Sequence, residues 1–208
     1  MSLLRPPYIT NAFKKHFFIR RSKQYGKKTT CYLTQGDYEN IAFAGDTVAS
    51  AGCGVCTLAM HILNKASGKI TDSFKEKVVE AVAESSLFNS DGYMWAPPQS
   101  ITLTIDNKSY SIGYTKTNDI AAEIINGKTG FVHFTASNGV TTASHFVLVD
   151  GIDRTESDPL RKLLVVDPAY GDSRTLYDAM VANYEYCGLT NVTPSTSHLN
   201  SNLKCVFD

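Results

Sequence analysis

The chain has 208 residues, 43% of them hydrophobic and 19% charged, and its formal net charge is +0. That length supports one good-sized core or two small ones, and the balance is that of a globular domain rather than a disordered segment. Zero net charge leaves no overall field to select nucleic acid or a membrane surface, and no apolar run approaches the roughly 18–20 residues that span a bilayer.

Along the chain the charge is uneven. Eight Lys and Arg residues, from Arg5 to Lys28, precede the first acid, Asp37, and the remainder holds 12 basic against 20 acidic residues. Residues 1–30 lack clear periodicity and read as a basic N-terminal arm. They also lack the compact apolar stretch and small-residue cleavage site of a signal peptide, so the expected location is cytoplasmic, or outside by another export route.

Residues 31–34 (CYLT) predict a short strand before the turn QGDYEN. From Val55, the apolar positions Leu58, Ala59, Ile62 and Leu63 recur at helical spacing, and Gly68 is the expected stop. A second helix is predicted over Thr71–Leu87, with Phe74, Val78, Val79, Val82 and Ala83 on one stripe. The stretch NSDGYMWAPPQS (89–100) reads as loop, and ITLTIDNKSYSIGY as strand, polar turn, strand. NDIAAEIINGK predicts a short helix capped by Asn118 and stopped by Gly127. Three apolar β runs follow at 130–134, 145–149 and 162–166, and SRTLYDAMVANYEY closes with a helix. Helices first and strands later indicate an α+β fold with an antiparallel sheet.

Cys31, Cys53, Cys56, Cys187 and Cys205 make an odd number of cysteines in a chain too long to need staples, which fits reduced thiols better than a secreted disulfide framework. The pair in SAGCGVCTLAM, Cys53 and Cys56, sits where a helix begins and admits three readings. A thiol–disulfide pair fits a CxxC at a helix start but expects a βαβ setting, and two helices follow instead. A zinc site needs a second ligand pair, and none is spaced for it, so no metal or other cofactor is expected. A nucleophile needs a base and an orienting group elsewhere. His145 in TTASHFVLVDGID, at the mouth of an apolar strand, and Asp167 in KLLVVDPAYGD, at the end of another, are the candidates. His61 reads as a helix-surface or core residue and His133 as a packed strand residue. Trp95, with Tyr93 and the two prolines after it, is either a loop anchor or a groove wall.

GCGVCTLAM, then SHFVLVDGID, then LLVVDPAYGD resembles, in this order, the C39-like branch of papain-fold cysteine peptidases. The resemblance covers roughly residues 31–180, without a matching motif over 88–128. It implies a papain-like catalytic domain over 31–208, with N-terminal helices packed on an antiparallel sheet. Cys53 would be the nucleophile, His145 the general base and acid, and Asp167 the residue that orients it. Gln35, in TQGDY, would lend its amide to an oxyanion hole, although it stands farther from the cysteine than in tighter members. Gly52 and Gly54 would leave room for substrate. The implied activity is a cysteine peptidase, a hydrolase acting through an acyl-enzyme on a peptide or peptidoglycan-type substrate of the bacterial or phage kind. A non-catalytic papain-like module that binds a peptide is the alternative from another class.

Overall fold

In a computed structural model, which describes residues 24–25, 29 and 31–208, the periodicities sort into a sheet with helices on both faces. The elements in chain order are β1 (Gln24–Tyr25), β2 (Ala42–Phe43), β3 (Asp46–Thr47), α1 (Val48–Ala51), α2 (Cys53–Lys65), α3 (Asp72–Ala83), β4 (Gln99–Ile105) and β5 (Lys108–Lys116). There follow α4 (Ile120–Ile125), β6 (Gly130–Ser137), β7 (Thr142–Asp153), α5 (Pro159–Lys162), β8 (Leu163–Asp167), β9 (Asp172–Thr175), α6 (Leu176–Tyr186) and β10 (Leu199–Phe207). The fold is α+β, with α2 and α3 packed against a multi-stranded antiparallel sheet.

Local chemistry explains most boundaries. Thr71 caps α3 by accepting the Phe74 N–H at 3.2 Å, and Asp119, next to the expected Asn118, caps α4 by accepting the Ala122 N–H at 3.0 Å. Asp106 and Asn107, both at positive φ (49° and 61°), make the two-residue turn between β4 and β5, the conformation that matches strand twist and favours Asp and Asn.

The strands run in the order β4-β5-β10-β6-β7-β8-β9, with β1 added to β7. Alternation along β6, β7 and β8 divides their side chains between two cores. Phe131, Leu148 and Val166 join α2 and α3 on one face. Val132, Val147 and Val165 join α4, α5 and α6 on the other. Helix α2 buries every residue from Gly54 to Leu63, so it is held by its whole circumference, not by a single stripe.

Four sequence expectations change. Residues 31–34 are not a strand: Cys31 and Leu33 are buried in the α2–α3 core, but among the described residues the segment has no strand partner and leads into a single 3₁₀ turn at Gln35–Asp37. Helix α3 ends at Ala83, before Leu87, because the chain bends there to form the Phe88–Met94 bridge. The β7 run is longer than its apolar middle, extending from Thr142 to Asp153. Strand β10 was not expected at all: its LNSN half carries no apolar alternation, yet it fills the gap between β5 and β6. The basic arm over 1–30 falls mostly outside the described residues. Within it, Gln24 and Tyr25 pair with Asp153 and Ile152 of β7, and the buried Thr29 donates its N–H to Asp150 at 2.7 Å. Among the described residues, no helix is long and apolar enough to cross a membrane.

Candidate active site

A break in a helix creates the site. Helix α1 closes with the Gly52 N–H on the Val48 carbonyl at 2.8 Å, and α2 opens with the Cys56 N–H on the Gly52 carbonyl at 2.9 Å. Between these two bonds, no backbone carbonyl among the described residues takes the Cys53 N–H. Cys53 is therefore the first residue of α2 and carries one of the orphan donors that every helix start leaves. The glycines on either side serve packing. A Cβ on Gly52 would collide with the Val48 side chain and carbonyl, and one on Gly54 would stand 3.3 Å from both Met94 Cε and Phe88 Cε1. The space that the sequence reading reserved for substrate is filled by protein atoms.

His145 and Asp167 reach the same place from the sheet. Strands β7 and β8 are antiparallel, so the start of one lies beside the end of the other. His145 Nε2 lies 2.8 Å from Asp167 Oδ1. Asp167 Oδ1 also accepts the Ala169 N–H at 2.9 Å, which fixes the carboxylate at the head of its turn. Both residues are buried, with side chains 5% and 1% exposed.

The groups that act on the Cys53 sulfur are His145 and the backbone N–H groups of Phe146 and Gly54. With Nε2 taken by Asp167, Nδ1 is the ring nitrogen left for the sulfur. Pairing between β7 and β8 stops at Leu148–Val166, so at Phe146 strand β7 has lost its β8 neighbour and its N–H is open to another acceptor. Burial pushes the Cys53 thiol up, but the hydrogen bond and charge of His145, with the two N–H groups, outweigh it and hold the thiol below its ordinary value. Burial pulls His145 down, and its bonds to Asp167 and Cys53 more than reverse this, raising it to about 10. Both shifts favour the charged forms, a thiolate beside an imidazolium.

Cys56 behaves in the opposite way. It is fully buried, and burial, with the nearby Cys53 and Asp37 charges, pushes its thiol up. All five cysteines are free.

Gln35 approaches from the other side of the α1–α2 break. Its backbone N–H donates to the Pro168 carbonyl at 2.8 Å, and its side-chain Nε2 donates to the Ala49 carbonyl at 3.1 Å. A flipped amide would set its oxygen against that carbonyl, so this bond fixes the amide's orientation. Gln35 is thus tied to both the turn after Asp167 and the turn before Cys53.

Two of the other histidines lie where the sequence put them. His61 is buried in α2 and stacks on Phe207 with ring centroids 3.7 Å apart. His133 packs on Phe146 at 4.4 Å and lies 2.7 Å from Ser144 Oγ. That contact looks like a second Ser–His pair but has the wrong tautomer. Asn200 Oδ1 accepts the Asn202 N–H at 3.0 Å, so its amide nitrogen faces His133 Nδ1 at 3.3 Å. Nδ1 must accept, and Nε2 must donate to Ser144, so it cannot take the serine proton. Burial and the charge of His145 lower His133 to about 4, keeping it neutral.

Three neighbours of the site went unread in the sequence: Arg174, the Phe146 N–H, and the Phe88–Met94 wall against Gly54. Arg174 Nη1 lies 3.8 Å from Asp167 Oδ2, and no motif marks it. Trp95 is half exposed, and its backbone is anchored at both ends: its N–H donates to the Leu87 carbonyl at 2.9 Å and its carbonyl accepts the Tyr114 hydroxyl at 3.0 Å. Among the described residues, no group of three or more His, Cys, Asp and Glu side chains is placed to hold a metal ion. A scan against protein-family models, a search of curated proteins and a search of solved structures each return no match.

Proposed function

We propose that this chain is a cysteine hydrolase of the papain-like, C39-like kind, cleaving an amide bond through a thioester acyl-enzyme. The observation that carries the reading is the 2.8 Å hydrogen bond between His145 and Asp167, beside a Cys53 thiol that His145 lowers at a helix start.

In this mechanism the Cys53 thiolate attacks the carbonyl carbon of the substrate amide. The carbonyl oxygen takes the negative charge, and the unspent Cys53 N–H and the second N–H of the Gln35 amide are the candidate donors for it. His145 gives its Nδ1 proton to the departing amine as the tetrahedral adduct collapses to a thioester. It then takes a proton from water, which attacks the thioester and releases the acid. Asp167 fixes the Nε2–H tautomer and stabilises the imidazolium throughout. An acyl acceptor other than water would use the same groups. Peptides, including those of bacterial cell walls, are the substrate class the sequence resemblance suggests.

The test is turnover of a panel of peptides and peptidoglycan fragments by wild type, Cys53→Ser and His145→Ala, with mass spectrometry of trapped acyl-enzyme. Hydrolysis and an adduct on Cys53 in wild type alone support the reading. Equal peptide binding by wild type and Cys53→Ser, with no turnover by either, favours the binding module.

A further inference from the structure

Asp167 and Asp172 are directly paired across β8 and β9, and like charges placed so repel. Arg174 sits between them. Its fork is committed to Asp172, with Nε to Oδ1 at 2.8 Å and Nη2 to Oδ2 at 2.7 Å, and its guanidinium lies over the Tyr170 ring at 4.2 Å. That double clamp aims Nη1 at Asp167 Oδ2, 3.8 Å away. Oδ2 is buried and has no hydrogen-bond partner among the described residues, and the guanidinium sets a fixed positive charge beside this unbonded half of the carboxylate. Arg174 itself is largely sheltered, its side chain 19% exposed, so solvent screens the pair only weakly.

We propose that Arg174 is a positioning residue for this site: held by Asp172 and Tyr170, it sets a fixed positive charge against the unbonded half of the buried Asp167 carboxylate, keeps that carboxylate turned toward His145, and so sets the acid limit at which the Cys53–His145 pair survives. This rests on the hydrolase reading of the same three residues.

The charged and titratable groups around the line act as follows. From β7, His145 faces Asp167 Oδ1. From β9, Arg174 faces Oδ2 and Asp172 faces Arg174. From the turn between, Tyr170 covers Arg174, and Glu185 of α6 acts on Tyr170. From α2, Cys53 faces His145, and from β6, His133 feels its charge. Of these, only Arg174 adds a permanent positive charge next to Asp167. A guanidinium does this with one edge while its other edge stays on Asp172; an ammonium cannot do both.

The experiment measures the rate of Cys53 carboxamidomethylation by iodoacetamide from pH 4 to 9, by mass spectrometry, in wild type, Arg174→Gln, Arg174→Lys and Asp172→Asn. Wild type should alkylate with an acid-limb midpoint well below that of a free thiol. Arg174→Gln should move that midpoint up by about one pH unit, roughly a tenfold loss of rate on the acid limb, with the plateau retained. Arg174→Lys should fall between the two. Asp172→Asn frees the fork to close on Oδ2 and should move the midpoint the other way. An unchanged midpoint in Arg174→Gln, or a uniform loss at every pH, overturns the proposal while leaving the hydrolase reading standing. If Arg174→Gln does not fold, an Asp172→Asn midpoint that stays put or rises overturns it equally. A wild-type midpoint like that of a free thiol sinks the hydrolase reading and this inference together.

Discussion

The side-chain amide of Gln35 donates to the carbonyl of Ala49 at 3.1 Å, the acceptor that an unbroken helix would give to the Cys53 N–H. One contact thus supports the break before α2 and brings an amide to the side of the site where the proposed oxyanion forms. Gln35→Ala should lower kcat/KM by about 10²-fold, the usual cost of one oxyanion donor, while Cys53 alkylation changes little because Gln35 is not among the groups that lower the thiol. Unchanged turnover would mean that another donor serves the oxyanion.

Asp167→Asn keeps an acceptor for the His145 Nε2–H and the Ala169 N–H but removes the charge, and it sets an NH₂ group near the Arg174 guanidinium. Turnover should fall by one to two orders of magnitude, and Cys53 alkylation at pH 6 should slow with it. An Asn side chain still accepts from the His145 Nε2–H and so keeps the tautomer, so abolition is not expected. Turnover measured beside a thermal melt distinguishes this from unfolding: a large drop in Tm with no selective loss at low pH would make Asp167 a structural turn residue only.

The Cys53–His145 pair predicts a bell-shaped pH profile. The Cys53 thiol is held low, so its thiolate is lost as pH falls through that depressed value; His145 is raised to about 10, so the acid that protonates the leaving amine is lost as pH rises through that region. Activity should therefore hold across the neutral range and fall on both sides, with midpoints that belong to the pair. At pH 6, Cys53 should be alkylated much faster than Cys56, and Cys56→Ala should leave the Cys53 rate unchanged. Equal rates at the two sulfurs would support a dithiol instead.

Gly52→Ala puts a methyl against the Val48 carbonyl, a backbone group that cannot swing aside. The expected cost is about 1–3 kcal/mol of stability, with loss of the rapid alkylation because the start of α2 must shift. Gly54→Ala meets only side-chain ends, those of Met94, Phe88 and Phe146 at 3.3–3.5 Å, and should be the milder change. Urea melts of both variants test the order; the reverse order would mean that the Phe88–Met94 wall is the stiffer contact.

What the sequence by itself determined is what neighbours along the chain decide. The helical stripe after Val55, the cap at Thr71 and the Asp-Asn turn are local preferences, and local preference places Cys53 at a helix start and His145 and Asp167 near the ends of apolar strands. Only the tertiary structure decided which of these ends meet. Antiparallel pairing of β7 with β8 brings His145 and Asp167 together, and the end of that pairing at Leu148–Val166 leaves the Phe146 N–H for the sulfur. Arg174 matters because β9 folds back on β8, and β10 becomes strand because β5 and β6 each present an edge that its Cys205–Val206 end pairs, while in LNSN only Leu199 pairs, with Phe134 of β6. These contacts join residues far apart in sequence, and their free energy comes from backbone pairing and burial that exist only once the sheet has formed.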